Sequence, residues 1–380
     1  KIILKVSDFK SALVQGKFLA KKGLWVSEYR IESGLNCGGH AFAKEGFLMG
    51  PILEEFKSKR DELFKSVREL LDSALTQNNK IVPVVELESK ITAQGGVGTS
   101  DEHNFLMEEY GIDSVGWGSP FMLVPEATAV DDMTRNALAK AKEEDLYLSN
   151  ISPLGVPFNS LRGNSKDQEK ENWILEGKPG SPCPKEFVKL NTEFGGKGIC
   201  TASRQYQKKK IELLRTEAKN PKEFELGFHK ITEKSCVCVG LGTSAMIDKN
   251  IDTKGIGNGV SVCPGPNIAY YSKLSSLKDM VKHIYGKADI LTNKERPHMF
   301  VKELNIYIDF LKDKLDDTQQ SINDKSNKQW KKFATNIDDG IEYYQGLFSG
   351  AKGKFASKRK EILQQLENSK LALQKIVLED

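Results

Sequence analysis

No apolar run in this chain approaches the length of a bilayer span, and no secretory signal opens it. A membrane-spanning helix is therefore excluded, and without an export signal the expected compartment is the cytoplasm. Charge of one sign is missing too: 56 Lys and Arg face 52 Asp and Glu, a net charge of +4 over 380 residues. So small an imbalance makes no case for nucleic acid or a membrane surface, and the basic residues read as solvated faces. Histidine is scarce at five and cysteine at six. With no export signal, disulfides are a poor expectation, so metal ligation or reactive thiols come forward, with buried apolar thiols as the plain alternative. A dinucleotide fingerprint is also lacking. Val239-Gly240-Leu-Gly242-Thr-Ser-Ala245 imitates one, but a polar, glycine-rich stretch follows where a βαβ unit should close, so turns are expected there.

What is present first is an alternation of strand and helix over residues 1–135. Ile2–Val6 reads as a strand, Phe9–Lys22 as a helix and Leu24–Ile31 as a strand. Met49–Gln77 carries Ile52, Phe56, Leu63, Val67 and Leu71 on one helical stripe. Val82–Val85 is β-rich, Glu102–Tyr110 is helical, and Asp113–Trp117 is a further strand. The βαβαβαβ order implies a parallel sheet with crossover helices, either a barrel or a doubly wound sheet. The first glycine-rich strand end is Ser33-Gly-Leu-Asn36-Cys37-Gly38-Gly39-His40. Paired glycines there permit close approach of something to the backbone, with His40 projecting into the same space; on these residues alone a tight turn with a hydrogen-bonded histidine is the favoured reading. Two further strand ends, Gly95-Gly96-Val-Gly98 before a helix and Gly116-Trp-Gly118-Ser119, have the make-up of phosphate sites.

Together these residues resemble the C-terminal half of a flavin barrel of the nitronate monooxygenase and flavin-dependent enoyl-acyl-carrier-protein reductase group. Asn36-Cys37-Gly38-Gly39-His40 stands for the group's Glu-(Ala/Ser)-Gly-Gly-His signature, and Gly95-Gly96-Val97 for its Gly-Gly-Ile loop. Gly111-Ile-Asp113-Ser-Val115-Gly-Trp-Gly118-Ser119-Pro-Phe121, followed by Glu126-Ala127, stands for its Gly-Ala-Asp-x-Val-x-x-Gly-Thr-x-Phe stretch. The resemblance implies half of a parallel (β/α)₈-type barrel, with FMN as cofactor. Gly38 and Gly39 would lie beside the flavin, Gly95, Gly96, Gly118 and Ser119 would hold its phosphate, and His40 would be the catalytic acid or base. The acidic residue before Gly-Gly-His is replaced by Asn36-Cys37. The first barrel half has no counterpart here, so a segment preceding Lys1, or a partner chain, is expected to supply it.

Residues 136–270 form a second, loop-rich region holding five of the six cysteines, with Ser152–Phe158 and Gly177–Pro184 resisting regular structure. Cys200, Cys236, Cys238 and Cys263 are the preferred four-thiolate set, with Cys183 as substitute, for a [4Fe–4S] cluster ahead of zinc. Residues 271–380 are helical. Phe300, Leu304, Ile308, Leu311 and Leu315 make one stripe, Trp330 to Phe348 a second and Phe355 to Leu373 a third, with polar breaks at Asp316–Ser326 and Ser349–Gly353. This bundle would cover the barrel or serve an oligomer interface.

The function expected is an FMN-dependent oxidoreductase acting on a small-molecule substrate, coupled to an iron–sulfur centre and forming a homo-oligomer or completed by a partner. The alternatives are an electron-transfer subunit and a non-catalytic protein that keeps a barrel scaffold.

Overall fold

The computed structural model describes residues 1–43, 45–183, 185–319, 324–350 and 355–378. Its centre is a parallel sheet of β1 (Ile2–Val6), β2 (Val26–Glu32), β3 (Lys90–Gln94) and β4 (Ser114–Gly116), in that spatial order. The connecting helices are α1 (Phe9–Ala20), α2 (Met49–Ser58), α3 (Arg60–Gln77) and α4 (Ser100–Tyr110). Strand order follows chain order without reversal, so right-handed crossovers all step the same way and place their helices on one face. The architecture is thus mixed α/β with a four-stranded parallel sheet; a closed eight-stranded barrel is not formed among the described residues.

Strand register explains the two faces. Leu4, Tyr29 and Ile91 lie in one row, and Val6, Ile31 and Ala93 in the next. The Tyr29 ring stacks on Phe64 of α3, and this face is buried. The opposite face carries a polar ladder: Lys5 pairs with Glu32 at 2.5 Å, Gln94 donates to Glu32 at 2.6 Å, and Thr92 donates to Glu28 at 2.7 Å.

Two local expectations need correction. Val82–Val85 is not a strand. Pro83 lacks an N–H for a ladder, Arg68 holds the Pro83 and Val85 carbonyls, and Val84 and Val85 face solvent; the third strand lies at Lys90–Gln94 instead. The single helix expected over Met49–Gln77 breaks at Lys59, whose backbone leaves the helical region at φ −113°, ψ 16°, and becomes α2 and α3.

Next come α5 (Asp132–Lys140), an antiparallel hairpin of β5 (Leu146–Ser149) and β6 (Phe158–Leu161), and the helices α6 (Ser165–Leu175), α7 (Arg204–Glu217), α8 (Pro221–Thr232), α9 (Val237–Asp248) and α10 (Leu277–Ile284). The turns expected at Gly240 and Gly242 are absent: both lie inside α9. A Cβ on Gly240 would stand 2.2 Å from the Ser261 hydroxyl, so this glycine lets the helix lie against the 260–262 segment.

The last helices are α11 (Met299–Gln319), α12 (Asp324–Ser349) and α13 (Arg359–Leu378), with their apolar stripes buried as the periodicity requires. Of the expected breaks, residues 320–323 and 351–353 lie outside the described residues, whereas 316–319 and 324–326 are helical, closing α11 and opening α12. This bundle completes the sheet's core. Tyr344 and Phe300 stack at 4.7 Å, the Tyr344 hydroxyl accepts from Gly50 N at 3.0 Å, and one apolar cluster runs from Val6 through Ile112 to Leu373. A second cluster joins Leu123, Leu138, Leu161, Val262, Tyr270 and Met280. Among the described residues no helix is long and apolar enough to cross a membrane.

Candidate functional site

In parallel α/β sheets, ligands gather at the carboxyl ends of the strands. Here the loops after β2, β3 and β4 meet there around a cavity of about 110 Å³, lined among others by Asn36, Gly38, Gly95, Gly96, Gly118 and Ser119. Five of the six glycine and serine positions expected at the cofactor therefore share one wall. Gly39 lies off it, at φ +79° with open space where a Cβ would be.

The cavity is roofed by a strap that the motif reading did not foresee, Cys263 to Asn267. Gly39 N donates to the Cys263 carbonyl at 3.2 Å, Gly265 N to Ser119 Oγ at 2.7 Å, and Asn267 Nδ2 to the Val97 carbonyl at 2.8 Å. A Cβ on Gly38 would lie 2.6 Å from the Cys263 carbonyl oxygen, so close backbone approach accounts for that glycine. From the other side the loop is held by β6, where Asn159 N donates to Gly39 O at 2.9 Å and Asn159 Nδ2 to Cys37 O at 2.6 Å.

Gly96, Val97 and Gly118 line the cavity, and their backbone N–H groups find no acceptor among the described residues. The Asn36 side chain is 1% exposed and its Oδ1 has no partner. The cavity thus offers donors for an anion beside a buried acceptor for a hydroxyl. The start of α4 was expected to hold the anion too, but it is answered from within the chain. Gly98 N donates to Glu102 Oε2 at 2.9 Å, and Thr99 caps Glu102 N. Arg296 bonds Glu102 at 2.6 Å, Gly96 O at 2.6 Å and Asn267 Oδ1 at 2.7 Å. Burial works against the charge on Glu102, but Arg296 and His298 offset it and hold the carboxyl below its usual range. Thr99-x-x-Glu102 has the spacing of a capping box in the sequence, whereas the buried partner of Glu102, Arg296, lies almost two hundred residues away and carries no such signal.

His40 does not line the cavity. Its Nε2 lies 2.7 Å from Ser152 Oγ and its ring meets Phe158 edge-on at 5.0 Å. Burial, and then Lys5, lower its pKa, so the ring is neutral at pH 7.

FMN can be tested against these residues directly. The bare N–H groups, the unfilled space at Gly118 and the orphaned Asn36 oxygen fit a phosphate and an adjoining hydroxyl. A complete cofactor needs roughly 300 Å³ or more, so the isoalloxazine is not contained in this cavity.

The cysteines form no disulfide. Cys236 and Cys238 bring their sulfurs to 3.9 Å, so Cys236 can donate to Cys238; that bond raises the pKa of the first thiol and lowers that of the second. Among the described residues no three His, Cys, Asp or Glu side chains stand ready to hold a metal ion. Cys263 sits in the strap, packed against the cluster of Ile151, Phe158 and Val237.

No protein-family model matches this chain, and no curated protein is significantly similar to it.

Proposed function

We propose that this chain is an FMN-dependent oxidoreductase of the nitronate monooxygenase and enoyl-reductase type, and that the cavity at the ends of β2, β3 and β4 takes the cofactor's phosphate end. One convergence supports the reading. Gly38, Gly95, Gly96, Gly118 and Ser119, picked out at three separate strand ends, line one cavity with unanswered backbone donors. When bound, the flavin would supply the hydride or electron chemistry. The chain's own part is to hold phosphate oxygens on the Gly96, Val97 and Gly118 N–H groups and to accept a ligand hydroxyl at Asn36 Oδ1. His40, neutral and steadied by Ser152, is the group assigned to take up or release a proton.

A second reading, binding of a phosphorylated ligand without flavin chemistry, is favoured by the cavity's size and by His40 standing off its wall. Titrating the protein with FMN, riboflavin and inorganic phosphate separates the two. We expect FMN to bind at least about tenfold more tightly than riboflavin, which lacks the phosphate, and inorganic phosphate to compete. Equal affinity for FMN and riboflavin sinks the phosphate assignment, and phosphate binding without FMN binding leaves the second reading. His40→Ala should retain FMN and lose turnover.

A further inference from the structure

Cys236 and Cys238 stand at the start of α9, in a segment whose neighbours pin it down. Ser235 N donates to the Ile151 carbonyl at 2.9 Å, and Gly240 N to the Cys236 carbonyl at 3.1 Å. Ser261 N donates to the Gly240 carbonyl at 3.1 Å, which ties this first turn of α9 to the 260–262 segment. Val237, between the two thiols, is buried in the small cluster with Ile151 and Phe158. With its middle residue packed and its ends bonded, the segment fixes where the two sulfurs stand, and they stand 3.9 Å apart. The two are not equally reachable. Cys238 is exposed to solvent, whereas Cys236 is buried.

We propose that Cys236 and Cys238 form a thiol–disulfide exchange site whose substrates are small disulfides of the glutathione type. The chemistry takes two steps. The reachable Cys238 sulfur, as its thiolate, attacks one sulfur of the incoming disulfide; a mixed disulfide forms on Cys238 and the other half leaves as a thiolate. Cys236 then loses its proton and attacks Cys238 Sγ, which releases the second half of the substrate. In sum, two protein thiols and one disulfide give one protein disulfide and two small thiols, so two electrons and two protons pass from the pair to the substrate. Closing the bond brings the sulfurs from 3.9 Å to about 2.05 Å. Because the resolving sulfur already waits beside the first, the second step is intramolecular and outruns accumulation of the mixed disulfide.

Two features of the pair favour exchange over a permanent crosslink. A bond that spans the single residue Val237 closes a very small loop, and so removes little entropy from the unfolded chain. One of its sulfurs also lies in the open, where an incoming thiol can reopen the bond, as in labile and catalytic disulfides rather than structural ones. Neither cysteine lines the phosphate cavity, and the test of the pair reads no flavin.

The test treats fully reduced protein with glutathione disulfide under anaerobic, mildly alkaline conditions, blocks the remaining thiols with an alkylating agent and maps each cysteine by peptide mass. In the parent we expect Cys236 and Cys238 joined to each other, with two glutathione molecules released for each pair closed. C236S removes the second step and should stop with one glutathione on Cys238. C238S should leave the buried Cys236 reacting at least about tenfold more slowly than Cys238 does in C236S. Glutathione that stays on Cys238 in the parent overturns the proposal, as does a parent in which both residues remain reduced, or a Cys236 that reacts as fast as Cys238. Should a serine variant not fold, the map of the parent decides, because a disulfide between 236 and 238 forms only if both steps occur.

Discussion

Three hydrogen bonds converge on the Glu303 carboxyl, from Ser33 Oγ at 2.5 Å, Met49 N at 3.0 Å and the Tyr344 hydroxyl at 3.1 Å. The residue is 1% exposed, and burial outweighs those donors to push its pKa up to about 7. The folded protein therefore keeps a proton that the unfolded chain releases near pH 4.5. Stability from this group is fully present below pH 4.5 and is lost as pH rises to 7, by roughly 3 kcal/mol at 1.4 kcal/mol per pH unit. Glu303→Gln should flatten that fall and leave the variant more stable than the parent at pH 8, as read from urea midpoints against pH. An unchanged slope would place the titration elsewhere. Nothing in the sequence marks Glu303, because one acidic residue on an amphipathic helix looks like any other until the partners at 33, 49 and 344 are brought to it. Asn36 was visible only as a departure from a motif; the fold makes it a buried side chain with an oxygen unanswered.

At the scale of elements, the periodic signals carried well. The stripes of α11, α12 and α13 were legible because a buried helical face repeats every three to four residues whatever it packs on. The strand ends were legible as glycine clusters. The strap from Cys263 to Asn267 was not, since its conformation comes from Gly39, Ser119 and Val97, all more than a hundred residues away. Val82–Val85 misled for a related reason: β-branched residues are suited to a sheet, but the ladder position was taken by Lys90–Gln94. The strap gives a test of its own. Asn267→Ala removes bonds to Val97 and Arg296 and leaves the Arg296 Nε buried without an acceptor, at a cost of about 1–3 kcal/mol. Chemical denaturation should show that loss, together with faster hydrogen exchange in the Gly95–Gly98 loop. An unaltered midpoint would mean that the strap is held by its bonds to Gly39 and Ser119 alone.

The sheet with its crossover helices and the last three helices are joined by one core, in which Phe56 and Tyr110 share a cluster with Phe300, Phe333 and Tyr344. Removing residues 299–380 would uncover Leu48, Met49, Phe105 and Tyr110 together. The shortened chain should lose cooperative unfolding and bind a hydrophobic dye, and a sharp thermal transition in it would refute the core shared by the sheet and the last helices.

That shared core also sets an order in time. A ribosome delivers the sheet and its crossover helices first, and α11 emerges only after a further stretch on the order of 190 residues, which at ~5–20 residues per second takes roughly ten to forty seconds. During that interval the surface around Leu48 and Met49 lacks the part of its cover that α11 and α12 supply. Burial of that apolar surface is therefore completed last, when α11 and α12 arrive.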